Sequence, residues 1–161
     1  MDFLLDGMSS MSIDDVSPTA TQVLRLWQVF RERVNPLTKI IHVPSLQPIL
    51  IEAAANHSNV PMNTRALLFA IYLVSVVTLT SSEAETMLDM TRDEAIWRFT
   101  NGVKLALTQI NFLKNHDMVT LQALVLYLVR GFYHHVRQFF PVDILMKSMI
   151  LLDLILWKMQ P

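Results

Sequence analysis

The stretch LWQVFRERVNPLTKIIHVPSLQPIL at Leu26–Leu50 decides how the chain folds. It reads as the second half of an amphipathic helix, a proline-punctuated linker and the start of another helix. Upstream, Ser17-Pro18 offers a capping hydroxyl followed by proline at a first helical position. Val23, Trp27, Phe30 and Val34 then recur at the spacing of one helical face, with Arg25, Gln28 and Glu32 opposite. Asn35-Pro36 is expected to end that helix, because proline disfavours helical geometry in the residue before it. Pro44 and Pro48 are expected to hold the linker extended, with Ser45 capping a helix over about Leu46–Asn56.

Further along, Asn63 is the expected cap of an apolar helix from Thr64 to about Leu79, and Ser81 and Ser82 open a short acidic helix near Glu83–Leu88. Thr91-x-x-Glu94 matches the capping box, in which each side chain satisfies a free amide of the other residue. Behind it, Ile96, Phe99, Val103, Leu107 and Ile110 form one stripe, with Arg98, Asn101 and Thr108 on the far side. Asp117 or Thr120 caps another apolar helix reaching about Arg130. Gly131 is expected to end it, and Pro141 to begin a last helix to about Lys158. No strand-length alternation bounded by turn residues competes with this reading, and no fixed-period repeat occurs. The predicted fold class is all-α, a single bundle-like domain of about seven helices.

Composition agrees with one core. The 161 residues suffice for one domain, and 52% are apolar while only 17% are charged, against about 25% in ordinary soluble domains. So little charge leaves apolar surface over, which favours protein partners or self-association. A net charge of −1 without a basic block gives no electrostatic footprint for nucleic acid. The absence of cysteine removes disulfides, thiolate zinc sites and cysteine nucleophiles. The N-terminal MDFLLDGMSSMSIDD carries neither a secretory nor a mitochondrial leader pattern. The expected division is a flexible tail over 1–16, a helical domain over 17–130 and a divergent apolar C-terminal helix over 131–161.

Ala66–Ser82 is free of charge for seventeen residues, at the lower limit of a membrane span. Its Thr/Ser-rich end and lack of flanking basic or aromatic anchors favour a buried core helix. Ile144–Trp157 is interrupted by Lys147 and Asp153, which disfavours spanning.

Chemistry-bearing patterns are sparse. Three glycines, Gly7, Gly102 and Gly131, cannot build a phosphate-cradling loop. His42, His57, His116, His134 and His135 show no i, i+3 or i, i+4 ligand spacing, and the adjacent pair His134-His135 points about 100° apart on a helix. Glu85, Asp89 and Asp93 would share a face if one helix ran through them, but the capping box at Thr91 argues for a break. Trp27, Trp97, Trp157 and the ten methionines read as packing residues rather than a ligand pocket. No catalytic, cofactor-binding or metal-ligating residue is nominated, and no cofactor or small-molecule ligand is identifiable.

The ordered set Leu24–Phe30, Asn35–Leu46 (NPLTKIIHVPSL, with the His42-x-Pro44 step), Ala66–Tyr72 (ALLFAIY) and Leu121–Leu128 (LQALVLYL) resembles the regulatory middle homology domain of fungal zinc-cluster transcription factors. The resemblance covers Gln22–Leu128, about two-thirds of the chain, and makes 17–130 a partial version of that domain. It implies a nuclear, non-enzymatic regulator, in many relatives one of a metabolic or secondary-metabolite gene cluster. It brings no catalytic residues. The six-cysteine cluster is absent from this sequence, and the residues after Leu128 lack the R-x-A and G-L-H patterns of relatives. The expectation is a truncated or headless regulator that acts through protein contacts, with no direct nucleic-acid binding. A recruited helical ligand-binding protein or enzyme, and a membrane-associated helical protein, are the competing readings.

Overall fold

A computed structural model describes residues 11–114, 117–136 and 157. Seven α-helices follow one another: α1 (Ala20–Val29), α2 (Asn35–Thr38), α3 (Val43–Ala55), α4 (Met62–Thr78), α5 (Ser81–Leu88), α6 (Arg92–Gln109) and α7 (Met118–Val136). A π-helical turn, Phe30–Val34, joins α1 to α2, and a 3-10 turn, His57–Asn59, joins α3 to α4. Among the described residues there is no strand, as the all-α reading requires.

The centre of the molecule is α4. Every residue from Thr64 to Val77 is buried, so this helix has no solvent face. It packs chiefly between α6 and α7, with α1 and the π turn against it as well. Tyr72, Phe69, Leu68, Ile71 and Leu73 are fully enclosed, and each large apolar side chain so buried contributes about 1.5–3 kcal/mol. Two of its hydroxyls are satisfied locally: Ser75 Oγ donates to the Ile71 carbonyl at 2.7 Å and Thr78 Oγ1 to the Ser75 carbonyl at 2.7 Å. The uncharged run is a core helix, and no described helix is long and apolar enough to cross a membrane.

Helix starts follow the capping logic, at shifted positions. Thr19, rather than Ser17, caps α1, and it shares a reciprocal capping box with Gln22. Ser17 Oγ instead donates back to the Ile13 carbonyl. A second full box joins Thr80 and Glu83 at the start of α5. At Thr91 one half of the expected box forms, the Glu94 amide donating to Thr91 Oγ1 at 3.2 Å. Pro61, not Asn63, precedes the first turn of α4, and Asn63 Oδ1 accepts from the Thr64 amide within that turn.

The two proline expectations are corrected. Helical backbone continues through Asn35-Pro36 to Thr38, because the π turn widens the preceding coil: the Asn35 amide donates to Phe30 five residues back. Left-handed Lys39 (φ 47°) ends it. Likewise α3 begins at Val43, not Leu46, and holds Pro48 inside it. Pro48 and Pro44 are both exposed, so the Pro44 carbonyl that Pro48 cannot serve stays open to water.

Residues 11–16, expected in a flexible tail, are instead packed: Ile13 and Val16 belong to the core. Residues 1–10 lie outside the described part. Helix α7 also passes Gly131, where nothing forces a break. The final helix expected from Pro141 to Lys158 falls outside the described residues apart from Trp157.

Between α3 and α4, His57 is buried with Nε2 3.3 Å from the Tyr72 hydroxyl, its ring against Phe69 and Tyr72. Burial, reinforced by the nearby Arg65 charge and partly opposed by Asp14, lowers its pKa from 6.5 to about 4. An imidazole depressed in the folded state contributes stability that is complete above pH 6.5 and lost as pH falls toward 4. The thermal midpoint should therefore drop between pH 6.5 and 4, and His57→Gln should flatten that part of the profile in a melting series. Steric expectations are equally specific. A Cβ at Gly102, where α6 crosses α4, would run into the Phe69 ring, whereas one at Gly131 would meet nothing within 4 Å. Gly102→Ala should cost about 1–3 kcal/mol and Gly131→Ala should add about 0.5–1 kcal/mol, both read from urea unfolding midpoints.

Candidate functional site

The chemistry-bearing side chains are mostly engaged in holding helix ends. Arg92 donates from Nε to the Leu79 carbonyl and from Nη2 to the Val77 carbonyl, each at 2.9 Å. Arg33 reaches the neighbouring Thr78 carbonyl while forming a two-pronged ion pair with Glu83 at 2.6 and 3.1 Å. These three carbonyls sit where α4 ends, and cations there offset both the unpaired acceptors and the negative pole of the helix. At the end of α5, Gln22 serves the Leu88 carbonyl and Arg25 the Met87 carbonyl, both at 2.7 Å. Arg98 clamps the Val16 and Ser17 carbonyls, and Arg65 pairs with Asp14. Five arginines are thereby committed to structure. The Arg33 guanidinium holds the Glu83 carboxyl well below its ordinary range, at about 2.

Among the described residues a groove of about 190 Å³ lies between α3, α4 and the start of α7, walled by Ile41, Leu46, Leu67 and Val119. Its polar residues are occupied: His42 Nδ1 and Ser45 Oγ lie 2.7 Å apart, and Gln122 Nε2 donates to the Ile40 carbonyl at 2.9 Å. That volume is below the roughly 300–1,000 Å³ of small-molecule pockets, and no free polar groups converge in it.

The residues weighed in the sequence are scattered. Trp27 is buried and stacks on Phe30 at 5.6 Å, as a core residue does, while Trp97 stands exposed on α6. Asp89 adopts the left-handed conformation (φ 56°) that ends α5, so Glu85 and Asp93 fall on different helices. Among the described residues no three His, Cys, Asp or Glu side chains gather as a metal site would require. His134 and His135 lie on the last turn of α7, and His116 lies outside the described part. What sequence reasoning missed is surface: Met118 and Leu128 on α7 are 48% and 64% exposed, on a helix whose opposite face enters the core. The signal was present, since Met118–Val129 is apolar on all sides.

No family model matches the chain, and no solved structure matches it. Curated proteins do. The chain is 49% identical over 115 residues to the pyriculol/pyriculariol biosynthesis cluster transcription factor 1 of Pyricularia oryzae, covering 71% of this chain and 15% of that protein. It is 40% identical over 118 residues to the aurofusarin cluster transcription factor aurR2 of Gibberella zeae, covering 73% and 18%. A C6 finger domain transcription factor of Arthroderma gypseum is 30% identical over 112 residues, covering 66% and 15%. The chain thus spans 15–18% of the length of these relatives. It belongs to the family of fungal gene-cluster transcription factors, as a homologue of one segment of them.

Proposed function

We propose that this segment is a contact and scaffold module of a nuclear regulator, taking part in the control of a biosynthetic gene cluster through protein partners rather than by reading DNA. The observation that carries the reading is the commitment of its arginines. Arg25, Arg33, Arg65, Arg92 and Arg98 are held on carbonyls and carboxylates of the fold. Phosphate recognition needs such cations free and clustered, and the net charge of −1 offers no substitute. The likeness to cluster transcription factors supplies the regulatory context. In this reading residues 17–130 form the partial regulatory domain and 131–161 a divergent extension. A non-enzymatic role is supported by the transcription-factor relatives, and in the described groove no acid, base and nucleophile converge.

Two measurements test the proposal. The purified chain should show no sequence-selective duplex binding at physiological salt, and tight selective binding would overturn the contact-module reading. Fused to a heterologous DNA-binding domain in a fungal reporter strain, it should enter the nucleus and change reporter output several-fold. A fusion that is nuclear and folded yet leaves output unchanged counts against regulation through contacts.

A further inference from the structure

We propose that the face of α4 and α6 covered by Ser12–Ser17 is a peptide seat, filled in this structure by the chain's own strap, and that its external ligand is a protein segment of the same chemistry: apolar, acid, any residue, apolar. The strap is built like a docked peptide. It makes two overlapping turns, with the Asp15 amide donating to the Ser12 carbonyl at 3.1 Å and the Ser17 amide to the Asp14 carbonyl at 3.2 Å. Among the described residues no backbone–backbone hydrogen bond joins it to another element. Side chains of the seat hold it instead. Arg98 of α6 donates to the Val16 carbonyl at 3.1 Å and to the Ser17 carbonyl at 2.6 Å, contacts open to any sequence. Arg65 of α4 takes the Asp14 carboxylate, while Ile13 and Val16, 5% and 2% exposed, enter the core. Backbone capture, one charge contact and apolar sockets are the parts from which peptide-recognition sites are made.

The strap is an incomplete ligand of this seat. Arg65 is buried, yet Asp14 reaches only its Nη2, and Nε has no partner among the described residues. Nε and Nη2 together form a fork that one carboxylate can fill, so half of the fork stands unused. His57, whose ring feels the charges of both Arg65 and Asp14, likewise keeps Nδ1 buried without a partner. The Asp14 side chain is 60% exposed, which makes its ion pair a weak latch. Pro18 is buried and leads directly into Thr19, the cap of α1, and this fixes the register of the strap. A segment free of that tether can set its carboxylate across both prongs. An unmet buried donor favours whichever ligand meets it. The external ligand therefore holds an advantage that the strap lacks.

The seat rests on the reading of the chain as a contact module, and the two can fail separately. The probe is a fluorescent peptide of the sequence Met11–Pro18. Asp14→Ala in the full chain loosens the strap, so by anisotropy this variant should bind the peptide about tenfold more tightly than the unaltered chain, whose strap competes. An Asp14→Ala peptide should bind the same variant about tenfold more weakly. A variant that keeps its helical circular dichroism but binds no peptide overturns the seat, and if the unaltered chain still regulates a tethered reporter the module survives. Equal binding of both peptides overturns the acidic ligand. Dimers of the unaltered chain that the peptide dissolves place the strap of a second copy in the seat and overturn the external partner. If Asp14→Ala fails to fold, hydrogen exchange in the unaltered chain decides. The Asp15 and Ser17 amides should exchange by local opening while α4 and α6 stay protected, and exchange only through global unfolding overturns the proposal.

Discussion

A helix without a polar face has to be enclosed on every side, and α4 imposes that condition on the rest of the chain. Its buried run is mostly apolar, with Arg65 held by Asp14 and Ser75 by its own helix, so α6 and α7 flank it and α1 with its π turn covers much of what remains. At Gly102 the enclosure is close, since α6 can approach the Phe69 ring only without a Cβ at the crossing. The cluster of Phe69, Tyr72, Phe99 and His57 fills the same region with tilted and edge-on ring contacts rather than flat stacking.

Enclosure creates a second requirement. The carbonyls at the end of a buried helix cannot all turn to solvent, and an acceptor left unpaired costs about 1–3 kcal/mol. Arg92 and Arg33 answer this at α4, and Gln22 and Arg25 do the same at the end of α5. A guanidinium suits the task because it stays charged and carries several donors in a fixed plane. The functional consequence follows from stoichiometry. With only thirteen Lys and Arg in the chain, each one drawn into a helix end is lost to any basic surface. Five arginines of the thirteen basic residues are engaged in this way, on helix ends, a loop backbone and Asp14.

Local patterns carried most of the architecture. The stripes of α1 and α6, the core character of α4 and the breaks before α3 and α5 follow from short-range periodicity and punctuation. Differences arise where neighbouring signals compete or where a distant contact overrules a local one. Pro36 reads as a helix end, yet a π turn accommodates it, and no sequence signal distinguishes that turn from ordinary helix. Thr80 was hidden behind Ser81 and Ser82, which look like equal caps but lie inside the helix that Thr80 starts. Ile13 and Val16 sit in a polar stretch without period yet are buried, and Arg98, 82 residues from Val16, holds the adjacent backbone. Contacts at that separation leave no imprint on neighbouring sequence. The same holds for Gln122, whose tie to Ile40 fixes α7 against the linker.

Helices α4 and α7 make the most instructive comparison. Both are apolar around most of their circumference, and both would look alike to any measure of composition. They differ in what surrounds them. The neighbours of α4 include α1, α6 and α7, while among the described residues α7 leans on α4 with only edge contact to α6. An apolar face left facing water is disfavoured by roughly 25 cal/mol for each Å², and a soluble domain retains one where a contact repays it. Among the described residues Met118 and Leu128 are such positions on α7, in a segment whose relatives run to several times this length.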